Sequence, residues 1–145
     1  MAQIRLLQER DLPAAQALVR DVLKEEYDQA VLLELARVWS EGSMIAEENN
    51  DIVAYLQAVL PNAFEARILL FAVTGSQRNR GLGGFMFGQF LNHCALMGLK
   101  SVYLEVRASN QGGIRFYTKF GFSANAVLQK YYRDGEDAYL MRKPL

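Results

Sequence analysis

Apolar residues recur at helical spacing in some stretches of the chain and alternate or run together in others. Leu12, Ala15, Leu18, Val19, Val22 and Leu23 fall three and four residues apart, the period of one helix face. Asp11 stands where an N-cap belongs, and Pro13 is tolerated in a first turn. A second helical pattern begins near Asp28 with Val31, Leu32, Leu35 and Trp39, and ends around Gly42. Ile4 to Leu7 reads as a short strand. Ser43 to Glu47 reads as another, turning at Asn49-Asn50-Asp51, and Ile52 to Leu60 as a third, stopped by Pro61-Asn62. Arg67 to Val73 is a nearly continuous apolar run, which predicts a central strand buried on both faces.

A third helix is expected over Phe85 to Met97, with Phe85, Met86, Phe90, Leu91, Cys94 and Met97 on one broad apolar face. Ser101 to Arg107 alternates: Val102, Leu104 and Val106 point one way, Tyr103, Glu105 and Arg107 the other. Ser109-Asn110 can cap a short helix running to Lys119, with Gly121 at the left-handed position after it. Phe122 to Tyr132 and Ala138 to Arg142 predict two strands joined by the turn Arg133-Asp134-Gly135-Glu136. The resulting order, β-α-α-β-β-β-α-β-α-β-β, is a mixed α/β domain without regular βαβ alternation. No repeat, low-complexity tract or linker divides it, so residues 1–145 are expected to form one domain.

The 145 residues are 51% apolar and 22% charged, and 16 basic side chains balance 16 acidic ones. No global field draws the chain to nucleic acid or to a membrane surface. No stretch nears the roughly 20 apolar residues of a membrane-spanning helix. The first residues lack a signal-peptide pattern, and the expected location is the cytoplasm. Cys94 is the only cysteine, so no intrachain disulfide forms, and its place on the apolar face favours packing over nucleophilic chemistry. His93 has no second histidine to share a metal. Trp39 suits either the core or a wall beside a substrate.

Candidate chemistry begins at Val73-Thr74-Gly75-Ser76-Gln77-Arg78-Asn79-Arg80-Gly81-Leu82-Gly83-Gly84, between a buried strand and a helix. Gly81, Gly83 and Gly84 let a ligand approach the backbone. The first amides of a helix have no partner within it and, with the helix dipole, form an anion site. Arg78 and Arg80 add positive charge, and a pyrophosphate is a natural occupant. Turn glycines and solvated arginines would look the same. Neither G-x-x-x-x-G-K-[ST] nor G-x-G-x-x-G is present.

Arg78-Asn79-Arg80-Gly81-Leu82-Gly83 resembles the R/Q-x-x-G-x-G/A motif of the GNAT family of acyltransferases. The resemblance implies that backbone amides of Arg78, Asn79, Arg80, Gly81, Leu82, Gly83 and Gly84 hold the pyrophosphate of acetyl-coenzyme A. It also implies that the main chain of Phe71, Ala72 and Val73 pairs with the pantetheine arm. Downstream, Leu104-Glu105-Val106-Arg107-Ala108-Ser109-Asn110 and Phe116-Tyr117-Thr118-Lys119-Phe120-Gly121-Phe122 resemble the family's second signature, in which Asn110 and Tyr117 line the cofactor arm. Together the two clusters imply the GNAT-like fold over nearly the whole chain: a central, mixed, mostly antiparallel sheet flanked by helices. The wording is similar to ribosomal-protein alanine N-acetyltransferases and related protein N-terminal acetyltransferases. So is the tail Tyr131-Tyr132-Arg133-Asp134-Gly135-Glu136-Asp137-Ala138-Tyr139-Leu140-Met141, whose Tyr131 and Tyr132 are implied to hold a substrate peptide backbone.

The chemistry can be reasoned separately. An α-amine, with a pKa of about 8, and a lysine, at about 10.4, are largely protonated at neutral pH, yet only the free amine attacks a thioester. Glu105, on the strand face away from the apolar one, can take that proton directly or through water. It could equally be a solvated residue beside Arg107. The departing thiolate needs a proton or a hydrogen bond, the role the resemblance gives to Tyr117, which could otherwise be a core aromatic. An oxyanion needs a backbone donor near the strand end, expected at the Val73 amide. Tyr131 and Tyr132 would face opposite sides of a strand, leaving at least one for packing.

Two departures bear on the acceptor. Gly112-Gly113 stands where the ribosomal-protein branch has alanine at the second position, and glycine costs a helix about 1 kcal/mol relative to alanine. Either the cofactor approaches closely there or the helix starts late. Lys24 to Asp28 lacks that branch's Phe-Pro-Trp signature. The leading expectation is acetylation of a protein or peptide N-terminal α-amine. A small amine (amino acid, polyamine or aminoglycoside) is the nearest alternative, and a non-catalytic acyl-CoA-binding module is the second. Oligomeric state is left open.

Overall fold

The computed structural model describes residues 2–78 and 80–145. Strands β1 (Gln3–Leu6), β2 (Ser43–Glu48), β3 (Asp51–Val59), β4 (Glu65–Val73), β5 (Ser101–Arg107), β6 (Ser123–Leu128) and β7 (Ala138–Pro144) accompany helices α1 (Leu12–Leu23), α2 (Gln29–Val38), α3 (Leu82–Leu96) and α4 (Gln111–Lys119). The expected α/β order holds. The sheet order is β1-β2-β3-β4-β5-β7-β6. The β1–β2, β2–β3, β5–β7 and β6–β7 pairs are antiparallel and β4–β5 is parallel, so the sheet is mixed and mostly antiparallel. None of the described helices is long and apolar enough to cross a membrane.

The chain forms two compact units, residues 1–59 with 69–90, and residues 60–68 with 91–145. In the first, Leu12, Ala15, Leu18 and Val19 of α1 and Leu32 of α2 are buried with Ile45, Tyr55, Leu70 and Ala72 of the strands. This is the face that the three- and four-residue spacing predicts. Trp39 is buried and packs 6.1 Å from Phe90, which makes it a core residue. On α3 the sequence expectation needs one correction. Met86, Phe87, Phe90, Leu91 and Cys94 are buried, whereas Phe85 and Met97 are exposed. Helix α3 begins three residues earlier than expected, at Leu82, and Phe87 takes the inward place assigned to Phe85. Burial pushes the Cys94 thiol up to about 12, so it stays protonated and packed.

Asp11 occupies the position before α1 but does not cap it with its side chain. Its carboxylate is held by Arg5 at 2.8 and 2.9 Å and by the Gln8 amide at 2.7 Å, while Arg5 also reaches Glu47 at 3.2 Å. The Arg5 hydrogen bond, with the Gln8 amide, outweighs burial and holds the Asp11 carboxyl below its ordinary pKa. A depressed carboxyl contributes stability above its unfolded pKa and loses it as pH falls through the folded value. Asp11→Ala is therefore expected to cost about 3 kcal/mol at neutral pH, the scale of breaking a buried ion pair. That deficit should shrink as pH drops below about 4, the ordinary carboxyl range. Urea unfolding of both proteins from pH 7 to pH 3 checks it, and a pH-independent difference would contradict it.

In the second unit, Val102, Leu104 and Val106 are buried. Tyr103, Glu105 and Arg107 on the other face are half-buried. The β4–β5 register runs from Glu65↔Ser101 through Arg67↔Tyr103 to Ile68↔Leu104. Strand β4 is not buried on both faces as the apolar run predicts: alternate residues are buried and half-buried along its length. Strand β6 stops at Leu128, four residues short of the expected end at Tyr132. Lys130 takes φ +51°, and Tyr131 and Tyr132 lie in the loop between β6 and β7.

Candidate active site

The first unit carries the loop between β4 and α3. The Thr74 amide donates to the Val53 carbonyl at 2.9 Å, anchoring the end of β4 on β3. A single 3-10 turn over Gly75–Gln77 follows. Arg78 reaches back through Nε to the Val73 carbonyl at 3.3 Å. Asn79 lies outside the described residues. Arg80 is exposed. Gly81 takes φ +85°, a left-handed conformation that a side chain with a Cβ adopts only under strain. This kink turns the chain into α3. The Phe85 amide donates to the Gly81 carbonyl at 3.0 Å. By helix geometry the amides of Leu82, Gly83 and Gly84 precede the hydrogen-bonded ladder.

Among the described residues no acidic side chain stands in the first turn of α3, so the helix itself sets no negative charge against an anion there. A Cβ on Gly83 would lie 3.4 Å from Val73 Cγ2 and 3.6 Å from Phe71 Cζ, so the helix start packs closely on the strand end. Phe71 is fixed in turn against Phe87, ring centroids 5.3 Å apart. A loop with a left-handed glycine, open helix amides and flanking arginines fits a pyrophosphate.

The second unit carries the titratable groups. Glu105 is bound by Arg67, Nη2 to Oε1 at 2.7 Å and Nε to Oε2 at 3.2 Å. The Glu105 side chain is 11% exposed and that of Arg67 31%. Arg67 Nη2 also donates to the Tyr131 hydroxyl at 3.2 Å. Burial alone would lower the Arg67 pKa, but the hydrogen bond and charge of Glu105, with Tyr131 and Tyr103 nearby, leave it above its ordinary value. Arg107, the neighbour expected for Glu105, is engaged elsewhere. It pairs with Asp134 at 2.9 Å and Glu136 at 2.8 Å, and its guanidinium lies 4.0 Å over the Tyr132 ring. Glu136 also accepts from the Ser109 amide at 2.8 Å. The β6–β7 loop is thereby tied to the turn after β5, and its two tyrosine rings meet edge to face, 5.0 Å apart.

Asn110 caps α4: its Oδ1 accepts from the Gly113 amide at 2.9 Å. A Cβ on Gly113 would fall 2.5 Å from Asn110 Nδ2. The glycine that departs from the expected alanine therefore makes room for the Asn110 side chain. Tyr117 is half-buried between Phe116, at 5.5 Å, and Phe122, at 6.0 Å. Burial, with the Tyr132 phenol nearby, pushes its pKa up to about 12, so it is a neutral donor across the physiological range.

Sequence reasoning singled out Glu105, Tyr117, Asn110, Tyr131 and Tyr132 in this unit, and Arg67 joins the first of them to the fourth. Arg67 itself was missed as a site residue. Its one signal was an arginine opening an otherwise apolar strand, where a charge needs a partner.

Residues 3–122 match the Acetyltransferase (GNAT) family. The chain is 30% identical to an N-alpha-acetyltransferase of Sulfurisphaera tokodaii, over 87% of this chain and 83% of that protein. It is 35% identical to the N-terminal acetyltransferase A complex catalytic subunit NAA10 of Arabidopsis thaliana, over 100% and 79%. The structure of Ard1 from Thermoplasma volcanium superposes with a TM-score of 0.95 at 36% identity, covering 99% of this chain and 97% of that one. The chain belongs to the GNAT family of acetyltransferases and is an acetyl-CoA-dependent N-acetyltransferase.

Proposed function

We propose that this GNAT acetyltransferase takes the N-terminal α-amine of a protein or peptide as its acceptor, with residues 1–145 forming one catalytic domain. The observation that carries the reading is the tie through Arg67 between Glu105 and Tyr131, which sets a carboxylate beside the exposed ring of Tyr131 and its half-buried neighbour Tyr132. Such a pair can flank an extended backbone, and the carboxylate faces the amine at its end. The N-alpha-acetyltransferase names of the relatives support the same acceptor.

Amine chemistry favours it too. At pH 7 roughly one α-amine in ten is free, against roughly one lysine in 2500, from their pKa values of about 8 and 10.4. Both Glu105 oxygens already accept from Arg67, so proton removal uses a remaining lone pair or a bridging water. An acceptor that gives up its proton readily suits such a base.

Bound acetyl-CoA supplies the thioester whose acyl group the amine takes. In this proposal the amides of Arg78, Asn79, Arg80, Gly81, Leu82, Gly83 and Gly84 hold its pyrophosphate. The main chain of Phe71, Ala72 and Val73 would hold the arm, and the Val73 amide would supply a hydrogen bond to the oxyanion. Asn110 steadies the α4 end of the arm. Tyr117 would serve the departing sulfur. A phenol pushed up to about 12 is a weaker acid than a thiol of about 8.5, so Tyr117 stabilises the departing sulfur by donating a hydrogen bond and keeps its own proton. Tyr131 and Tyr132 contact the acceptor backbone. Cytoplasmic protein N-termini are the natural substrates on this reading.

The test is tandem mass spectrometry of a peptide that begins with alanine or serine and contains an internal lysine, after incubation with enzyme and acetyl-CoA. The acetyl group is expected on the α-amine. Modification of the lysine alone would overturn the acceptor assignment.

A further inference from the structure

We propose that Arg67 is the positioning residue of the acceptor side, holding the Glu105 carboxylate and the Tyr131 hydroxyl as one unit. The inference rests on the acceptor reading above.

Arg67 is the charged residue at the head of the apolar run Ile68 to Val73. A cation in such a strand is costly unless it is paired and hydrogen-bonded. Its partners account for its retention. Nε and Nη2 take the two oxygens of Glu105 side-on, and Nη2 also reaches the Tyr131 hydroxyl. Glu105 stands on β5, where its pairing with Leu140 of β7 fixes its backbone. Tyr131 has no strand beneath it. It lies in the β6–β7 loop, is 44% exposed, and its hydroxyl is held by Arg67. Among the described residues Glu105 and Tyr131 make no hydrogen bond to each other, so the guanidinium is their link.

Geometry, more than charge, makes this an arginine site. The guanidinium is planar and its donors are fixed in a fork, so one group sets the distance between the two partners. A lysine would keep the positive charge beside Glu105 as a single point donor. It could not hold the carboxylate side-on and the phenol together. Arg67 thus acts through Glu105 and Tyr131 on how the acceptor binds and loses its proton.

The test compares wild type, Arg67→Lys, Tyr131→Phe and the double variant on whichever acceptor the wild type uses best. Arg67→Lys is expected to raise the acceptor KM by about tenfold while the acetyl-CoA KM stays within about twofold, the signature of lost acceptor binding. Tyr131→Phe is expected to raise the acceptor KM in wild type but to add little on top of Arg67→Lys, because contacting residues couple. Multiplied effects in the double variant would sink the proposal, as would a wild-type KM in Arg67→Lys or an equal rise in both KM values. Thermal stabilisation by coenzyme A verifies that each variant is folded. Should Arg67→Lys fail that control, Glu105→Gln with Tyr131→Phe reads the same coupling, since Arg67 joins those two. If the best acceptor is a small amine, the peptide assignment fails, yet the coupling is still measured on that amine.

Discussion

Tyr117→Phe is expected to lower kcat by about 10²-fold, the scale on which losing one hydrogen bond to developing negative charge slows a reaction. Acetyl-CoA affinity should be nearly unchanged. The substitution removes a single oxygen and keeps the ring between Phe116 and Phe122, so α4 and its packing survive. Because the phenol is pushed up to about 12, its ionisation lies above the usual assay range. The wild-type rate should show no loss from Tyr117 deprotonation below about pH 11. Steady-state kinetics with calorimetric binding of coenzyme A separates the two effects. A variant with full kcat would remove Tyr117 from the chemistry and return it to the aromatic cluster.

Gly81→Val is expected to act on the other substrate. Gly81 holds φ +85° at the entry to α3, where a β-branched residue costs roughly 1–3 kcal/mol of backbone strain. The chain relieves that strain by shifting the loop, and the amides that follow lose their common aim. The acetyl-CoA KM should rise about 10²-fold, while the acceptor KM and kcat at saturating donor change little. Ligand linkage gives a second readout: at a hundredfold excess over Kd, coenzyme A stabilises the wild type by about 2.7 kcal/mol. Gly81→Val should show little of that stabilisation in a melting experiment. An unchanged acetyl-CoA KM would place the pyrophosphate elsewhere.

The order of elements could be read from period alone, because α1 and β5 each bury one clean face, whereas α2 buries only Leu32 and leaves Val31 exposed. The position of the glycine-rich loop between β4 and α3 was legible for a related reason, since its glycines and arginines are local in sequence. Interactions distant in sequence were not. Arg67 and Glu105 lie 38 positions apart, and Arg67 and Tyr131 lie 64 apart. Nothing in the alternation of β5 says that Glu105 pairs across to β4 while Arg107 turns to the β6–β7 loop.

Elsewhere local chemistry overrode propensity. The pair Tyr131-Tyr132 suggested a longer strand, yet β6 ends at Leu128, and two residues on Lys130 takes a left-handed turn and its amide donates to Asp137 at 2.9 Å. Gly113 looked like a weak helix residue and turned out to be the space that the Asn110 cap requires. On α3, Met86, Phe90, Leu91 and Cys94 keep the expected face, Phe87 joins it, and Phe85, five residues and well over a turn before Phe90, falls outside it.

The acceptor is the centre of this account, and one measurement reaches it most directly: acetyl-CoA turnover, followed by thiol release, across N-terminal peptides and small amines. Peptides beginning with alanine or serine stand beside lysine, spermidine and free amino acids. For the best peptide, kcat/KM is expected to exceed that for every small amine by at least about tenfold, or roughly 1.4 kcal/mol of transition-state stabilisation. A small amine turned over as well as or better than every peptide would contradict it, leaving the fold and the acetyl-CoA site in place with a different acceptor.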